Sequence, residues 1–273
     1  MKIINGNEFS RLAHYSLDFH LNKWELNESL LNKNAIIFCK IEYIRKLFNF
    51  IKNSNKKYIL ITHDSDFNIH QQLFNSAPKC IHKWFGVNAI HDHPKLINIP
   101  LGIENEIVRH KPKSRIDYKW LRENLARLRN KDKNENVVYC NWNNKTNPER
   151  SKILSILKQS DVKIIQESGL SQYEYYEQLA KYKYVVCPIG NGIDTHRLWE
   201  TLYVGSIPIT IDSIIYRDYN LPIIRLKQWT DLNSKLLEEF NFRSNYNYYE
   251  LDMKYWETFI LDEYKIINQK LLL

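Results

Sequence analysis

Short apolar runs recur along the chain, each followed by a polar or glycine-bearing loop. Their spacing predicts strands that alternate with helices. In the first half the runs are residues 35–41 (AIIFCKI), 58–62 (YILIT), a weaker 79–84, and 96–99, the last followed by Pro100-Leu101-Gly102. Residues 43–52 place apolar side chains three and four apart, the period of a helix with one buried face. The charged stretch 111–132 contains the helical WLRENLARLR, and residues 130–136 (NKDKNEN) read as a linker. The second half repeats the alternation, with strands at 137–141 (VVYCN), 162–166 (VKIIQ), 184–188 (YVVCP), 207–211 (IPITI) and 223–226. Helices fall at 147–159, 171–180 and 195–204. The first opens on Asn147 and Pro148, a cap followed by a proline with a pre-set φ. The predicted fold class is α/β, built on parallel, doubly wound sheets. Three segments are expected: an N-terminal domain over 1–133, a C-terminal domain over 134–250, and an aromatic-rich helix over 251–273 packing back on the first domain.

Composition narrows this picture only a little. A chain of 273 residues suits two small domains, and 44% hydrophobic residues exclude wholesale disorder. No run approaches the roughly 18 apolar residues that span a bilayer, and residues 1–10 lack the apolar core of a signal peptide. Cys39, Cys80, Cys140 and Cys187 lie far apart without a CxxC pair. They read as buried thiols of a reducing compartment, so the expected location is cytoplasmic. The net charge of +8 is scattered along the chain and reads as a solvated basic surface, one that allows peripheral contact with a membrane face.

The chemistry concentrates in CPIGNGIDTHRLWETLYVGSIPIT, residues 187–210. Gly190 and Gly192, either side of Asn191, form a turn between a strand end and a helix start. Backbone amides approach an anion there, and the helix N-terminus adds partial positive charge. Asp194 fits as N-cap of a helix starting at Thr195. Leu198 and Leu202 then share the face that packs on the sheet, and His196 and Glu200 share another. Arg197 lies in the first turn, where it would neutralise a diphosphate, and Glu200 would accept bonds from ribose hydroxyls. A tight turn with a capped helix and an Asp194–Arg197 surface pair is the plainer alternative.

The stretch 188–209 resembles the C-terminal signature of exostosin-like glycosyltransferases, with its P-x-G-x-G-x-D-x-H-R-x-W-E core and G-x-I-P-I strand. Residues 139–142 with 146–150, Tyr175-Tyr176 and residues 184–186 extend the likeness over about residues 137–212; the first half resembles the family only weakly. The resemblance implies a GT-B fold, two Rossmann-like domains facing across a cleft, with the sugar nucleotide held by the C-terminal domain and the acceptor by the N-terminal one. Carried over by position, Gly190, Asn191, Gly192, Asp194, His196, Arg197 and Glu200 would line the donor site. Asn141, Thr146 and Arg150 would approach from the neighbouring loop, Arg150 as a second cation. The implied activity is transfer of a monosaccharide from a UDP-sugar or GDP-sugar, UDP favoured, to a glycan, glycolipid or glycoprotein hydroxyl. Inversion, no required cofactor or metal, and no nucleic acid partner complete the expectation.

An inverting transfer needs a base for the acceptor hydroxyl. His63, Asp64 and Asp66 follow strand YILIT directly, at its C-terminal end, and are the candidates, with Glu104 in second rank. An Asx-type loop capping a helix near Phe67 would explain the same residues. Asp64-Ser65-Asp66 is also a D-x-D, which in a GT-A enzyme would hold magnesium or manganese. His91-Asp92-His93-Pro94 reads as a turn, and Trp84, Phe85 and Trp142 are candidates for stacking on a sugar or base. A reading of another class remains beside these: a non-catalytic protein whose basic surface binds nucleic acid or another polyanion.

Overall fold

A computed structural model describes residues 1–17, 32–106, 116–241 and 246–269. The chain is α/β and divides into two compact units, Met1–Ser114 with Asp252–Leu273, and Arg115–Leu251. Each is built on a five-stranded, wholly parallel sheet. Among the described residues no helix is long and apolar enough to cross a membrane.

In the first unit the strands are β1 (Tyr15–Leu17), β2 (Ala35–Cys39), β3 (Tyr58–Thr62), β4 (Ile81–Gly86) and β5 (Leu96–Asn98), and they lie side by side in chain order. Right-handed crossovers that all step in one direction put their connections on one face. That face is closed by α2 (Ile44–Ile51), whose Ile44, Leu47, Phe48 and Ile51 pack among Ile37, Cys39, Tyr58, Leu60 and Trp84. The residues between them in β2, β3 and β4, namely Ile36, Phe38, Ile59, Ile61 and Phe85, point to the opposite face and are fully buried too. The last helix, α9 (Met253–Gln269), packs against β3 and β4 on that face.

The fit of α9 follows from its sequence. Met253, Trp256, Ile260 and Ile267 recur at helical spacing and are buried, and Phe259 meets Phe85 edge-on with ring centroids 5.2 Å apart. Both ends are tied. Met253 N–H donates to Lys2 O at 2.9 Å, and Asn34 Nδ2 donates to Ile267 O at 2.8 Å. Glu263 pairs with Lys83 at 3.1 Å.

The second unit carries α4 (Tyr118–Arg129), then β6 (Asn134–Cys140), α5 (Arg150–Leu157), β7 (Ile164–Gln166), α6 (Gln172–Lys181), β8 (Tyr182–Val186), α7 (His196–Tyr203), β9 (Ile207–Ile211), β10 (Ile224–Leu226) and α8 (Ser234–Asn241). The sheet order is β7-β6-β8-β9-β10. The chain steps from β6 to β7, then returns past β6 to β8, so successive crossovers fall on opposite faces. Residues of α5 and α8 share one core with alternate residues of β6, β8, β9 and β10. On the other face α6 packs on α7 and β8, and α4 packs on α6.

Several expectations change. The stretch 130–136 is not a linker: β6 begins at Asn134, and Lys133 Nζ donates to the carbonyls of Ala180 and Val204, where α6 and α7 end, both at 2.9 Å. Burial lowers that ammonium to about 8, with Lys131 and Arg129 adding to the shift. The helix expected with the first domain is α4, which belongs to the second unit. Residues 111–115 and 270–273 of the expected helices lie outside the described residues. Strand order reverses only in the second sheet.

Because one face of the first sheet is closed by α9, loss of its buried side chains will unfold that unit. Ile260→Ala is expected to cost about 3 kcal/mol in urea denaturation, and the exposed Ile266→Ala less than about 0.5 kcal/mol.

Candidate functional site

In an open parallel sheet, ligands bind beyond the C-terminal strand ends where strand order reverses. In the second unit that point lies between β6 and β8, and the loops there are residues 141–149 and 187–195. The expected donor residues lie in these two segments and on the helices that follow them, Arg150 on α5 and His196, Arg197 and Glu200 on α7.

Arg150, buried at the start of α5, joins the two loops. Its Nε donates to Ile189 O at 2.8 Å and its Nη2 to Pro188 O at 2.7 Å. Its Nη1 donates to Asn143 O at 3.0 Å and Thr146 Oγ1 at 2.6 Å. Asn147 adds a bond from Nδ2 to Gly190 O at 3.1 Å. The glycine turn closes with Gly190 N–H donating to Gly192 O at 3.0 Å, leaving Asn191 exposed at its tip. A Cβ on Gly190 would lie 3.2 Å from Arg150 Nη2, so the clamp and the glycine fit each other. Arg150 thus holds loop carbonyls rather than presenting a free fork. Burial lowers its pKa to about 10, with the charge of Arg197 a further cause.

The helix opens one residue later than its sequence suggests. Thr195 is the N-cap of α7 and makes no side-chain cap bond. Asp194 is engaged elsewhere: its buried carboxylate accepts Trp199 Nε1–H at 2.8 and 2.9 Å and the Thr195 N–H at 2.9 Å. The Asp194–Arg197 surface pair of the plainer alternative does not form. Leu198 and Leu202 are buried, as the helical face predicts, and His196 and Glu200 lie off that face, Glu200 itself buried.

Arg197 stands apart. Its Nη1 is buried with no hydrogen-bond partner, and its guanidinium lies 5.4 Å from the centroid of the Tyr175 ring. Among the described residues neither Arg150 nor Arg197 forms an ion pair with a carboxylate. Glu200 accepts the Tyr175 hydroxyl at 2.7 Å and the Tyr176 hydroxyl at 3.5 Å. On the β6 side, Asn141 Nδ2 donates to the Tyr139 hydroxyl, which donates to Glu167, both at 3.1 Å. Cys140 and Cys187 are buried at this strand edge, and burial pushes both thiols up to about 12, so neither offers a thiolate near neutral pH.

The first-unit candidates have a different surrounding. His63 is fully buried, with Nε2 donating to Pro100 O at 3.1 Å and Nδ1 2.9 Å from Asp64 Oδ1. Asp64 Oδ2 accepts Asn105 Nδ2–H at 2.9 Å, and Asn105 Oδ1 accepts Asn7 N–H at 2.9 Å. Asp64 sits at φ 56°, a left-handed conformation that aspartate tolerates, and a Cβ on Gly6 would strike its carboxylate at 2.1 Å. Both carboxylate oxygens and both ring nitrogens therefore serve a buried network that ties α1 (Gly6–Arg11) to the end of β3. A cation at the D-x-D would have to displace those bonds. Asp66 remains exposed.

Trp84 and Phe85 are fully buried core residues rather than stacking platforms. Trp142 is fixed by Nε1 donation to Asn144 Oδ1 at 2.9 Å. The His91–His93 segment is a turn against Phe74, with ring centroids at 5.2 and 4.5 Å. No group of three metal-ligating side chains occurs among the described residues. Compared with models of known protein families and with curated proteins, the chain matches none.

Burial pushes the Asp64 carboxyl up, but the hydrogen bond and charge of His63, the Asn105 amide and Lys40 outweigh it and bring the group down to about 2. A depressed carboxyl contributes stability above its unfolded pKa and loses it as pH falls through the folded one. Wild type is therefore expected to lose about 2 kcal/mol between pH 4 and pH 2 that Asp64→Asn does not lose, measured by urea denaturation across that range.

Proposed function

We propose that the chain is a glycosyltransferase of the exostosin-like, GT-B type, taking its sugar from a nucleotide diphosphate donor, a UDP-sugar by preference. One observation carries the reading: Arg197 holds a buried, unpartnered guanidinium nitrogen at the strand-order reversal of the second sheet, beside a helix start whose N-cap residue, Thr195, makes no side-chain cap bond. Leaving a buried charged donor unpaired costs more than the ~1–3 kcal/mol of a neutral one. A diphosphate supplies acceptors of the right charge, and helix-start amides add to its hold. The glycine turn and the D-x-H-R-x-W-E spacing support the same reading.

The roles divide accordingly. Arg197 and the backbone amides of Asn191, Gly192 and Ile193 take the diphosphate. Arg150, with Thr146 and Asn147, holds the loops in place. Glu200 and Asn141 face the ribose side. Of the candidate bases, Asp66 is the one whose carboxylate the buried network leaves exposed, and it is the proposed proton acceptor. The acceptor is a sugar hydroxyl of a glycan, glycolipid or glycoprotein. Because both Asp64 oxygens are already bonded, the metal-dependent GT-A alternative is the weaker reading.

Thermal denaturation with UDP, GDP, CMP and ADP, with and without EDTA, tests the donor site. One diphosphate nucleotide is expected to stabilise the protein by about 2.7 kcal/mol at a hundredfold excess over Kd, unchanged by EDTA and absent in Arg197→Ala. No stabilisation by any nucleotide overturns the reading, and a shift abolished by EDTA moves it to metal-dependent chemistry. For the base, Asp66→Asn is expected to keep donor stabilisation while sugar transfer falls at least a hundredfold, and normal turnover removes Asp66 from the role.

A further inference from the structure

Arg197 and Glu200 stand three residues apart on α7, a spacing at which opposite charges meet on a helix surface. They form no ion pair here. Instead Glu200 is held by hydroxyls from α6: Tyr175 donates to Oε2 at 2.7 Å and Tyr176 to Oε1 at 3.5 Å. The Tyr175 ring also lies against the Arg197 guanidinium, at 5.4 Å from the centroid. One side chain thus touches both members of the pair, binding the carboxylate with its edge and the cation with its face.

We propose that Tyr175 is a positioning residue that keeps Arg197 available to an anion by holding Glu200 away from it. The inference rests on the reading of Arg197 as a diphosphate ligand. A short hydroxyl–carboxylate bond satisfies the oxygen of Glu200 that would otherwise turn to the guanidinium. Contact with the ring holds the guanidinium beside it while Nη1 stays unpartnered. The phenol is suited to this part. Burial and the adjacent Glu200 hold it well above its ordinary pKa, against the opposing charge of Arg197, so it remains a donor throughout the working range of pH. The geometry of α6 supports it as well. Ser171 and Glu174 form a reciprocal capping box at its start, which fixes the turn that presents Tyr175.

The test removes the hydroxyl and keeps the ring. In Tyr175→Phe, Glu200 is expected to pair with Arg197 and weaken binding of inorganic pyrophosphate about tenfold, read by isothermal calorimetry. Adding Glu200→Gln in the same chain is expected to restore affinity, because the amide no longer competes for the guanidinium. Pyrophosphate is the probe because it lacks the ribose that Glu200 would contact. A merely structural role would lower affinity without rescue, so failure of Glu200→Gln to restore binding overturns the proposal, as does unchanged affinity in Tyr175→Phe. A second readout needs no ligand. The coupling between Arg197→Lys and Glu200→Gln in Tm is expected to be near zero with Tyr175 present and about 2 °C or more with Tyr175→Phe. If wild type binds no pyrophosphate, the diphosphate reading fails, and this coupling still decides the role of Tyr175: its absence in Tyr175→Phe overturns the proposal.

Discussion

The handedness of parallel crossovers is the constraint on which both units depend. A right-handed connection fixes the face it covers by the direction in which it steps across the sheet. In the first unit every step runs the same way, from β1 to β5, and α2 with Leu73 and Phe74, from the two connections between β2 and β4, packs on one face. Ile36, Phe38, Ile59, Ile61 and Phe85 alternate with the residues of that core and are buried on the opposite face. On that face α9, about 150 residues beyond β5 in the chain, packs against β3 and β4. In the second unit the step reverses after β7, and two consequences follow together. Helices fall on both faces, and the loops after β6 and β8 lie side by side at the reversal, where Arg150 and Asn147 tie one to the other.

Among the described residues, hydrogen bonds and a ring contact rather than ion pairs engage the two arginines at that reversal. Arg150 and Arg197 are the same residue type at the same strand edge, yet they do different things. Four donor contacts to loop oxygens make Arg150 a structural clamp. Arg197 retains an unpartnered buried nitrogen. Each carboxylate nearby is answered by an uncharged donor, Asp194 by the Trp199 indole and Glu200 by tyrosine hydroxyls. Neutral donors satisfy a carboxylate without consuming a cation, so a positive group stays uncommitted.

Much of the sheet framework was legible because buried parallel strands are continuous apolar runs. Residues 58–62 and 207–211 match β3 and β9 end to end. Three-residue β1, Tyr15–Leu17, carries too little pattern to register, and the first three residues of β6 are exposed and polar, so they read as linker. At the site, the glycine turn and the residues of α7 were legible from spacing. What spacing misses is engagement. The bonds of Arg150 to residues 188 and 189, of Asp64 to Asn105 and of Glu200 to Tyr175 join positions that only the fold brings together. Sequence places a charged residue near a site; its hydrogen bonds decide whether the charge is available there.

That distinction reshapes the meaning of DTHRLWE itself. Asp194 and Trp199 hold each other in the interior, one buried carboxylate against one indole N–H, so removing either leaves a buried polar group without its partner. Leu198 packs on the sheet. These three positions fix the pitch and azimuth of the first turn of α7. Arg197 lies between two of them in sequence and projects from a helix they immobilise. The motif therefore works as a mount: its buried letters set the direction in which the guanidinium points, and its position beside the glycine turn sets what the guanidinium can reach. Such a mount lowers the ordering entropy that a long side chain on a mobile helix would lose in making a charge-assisted bond.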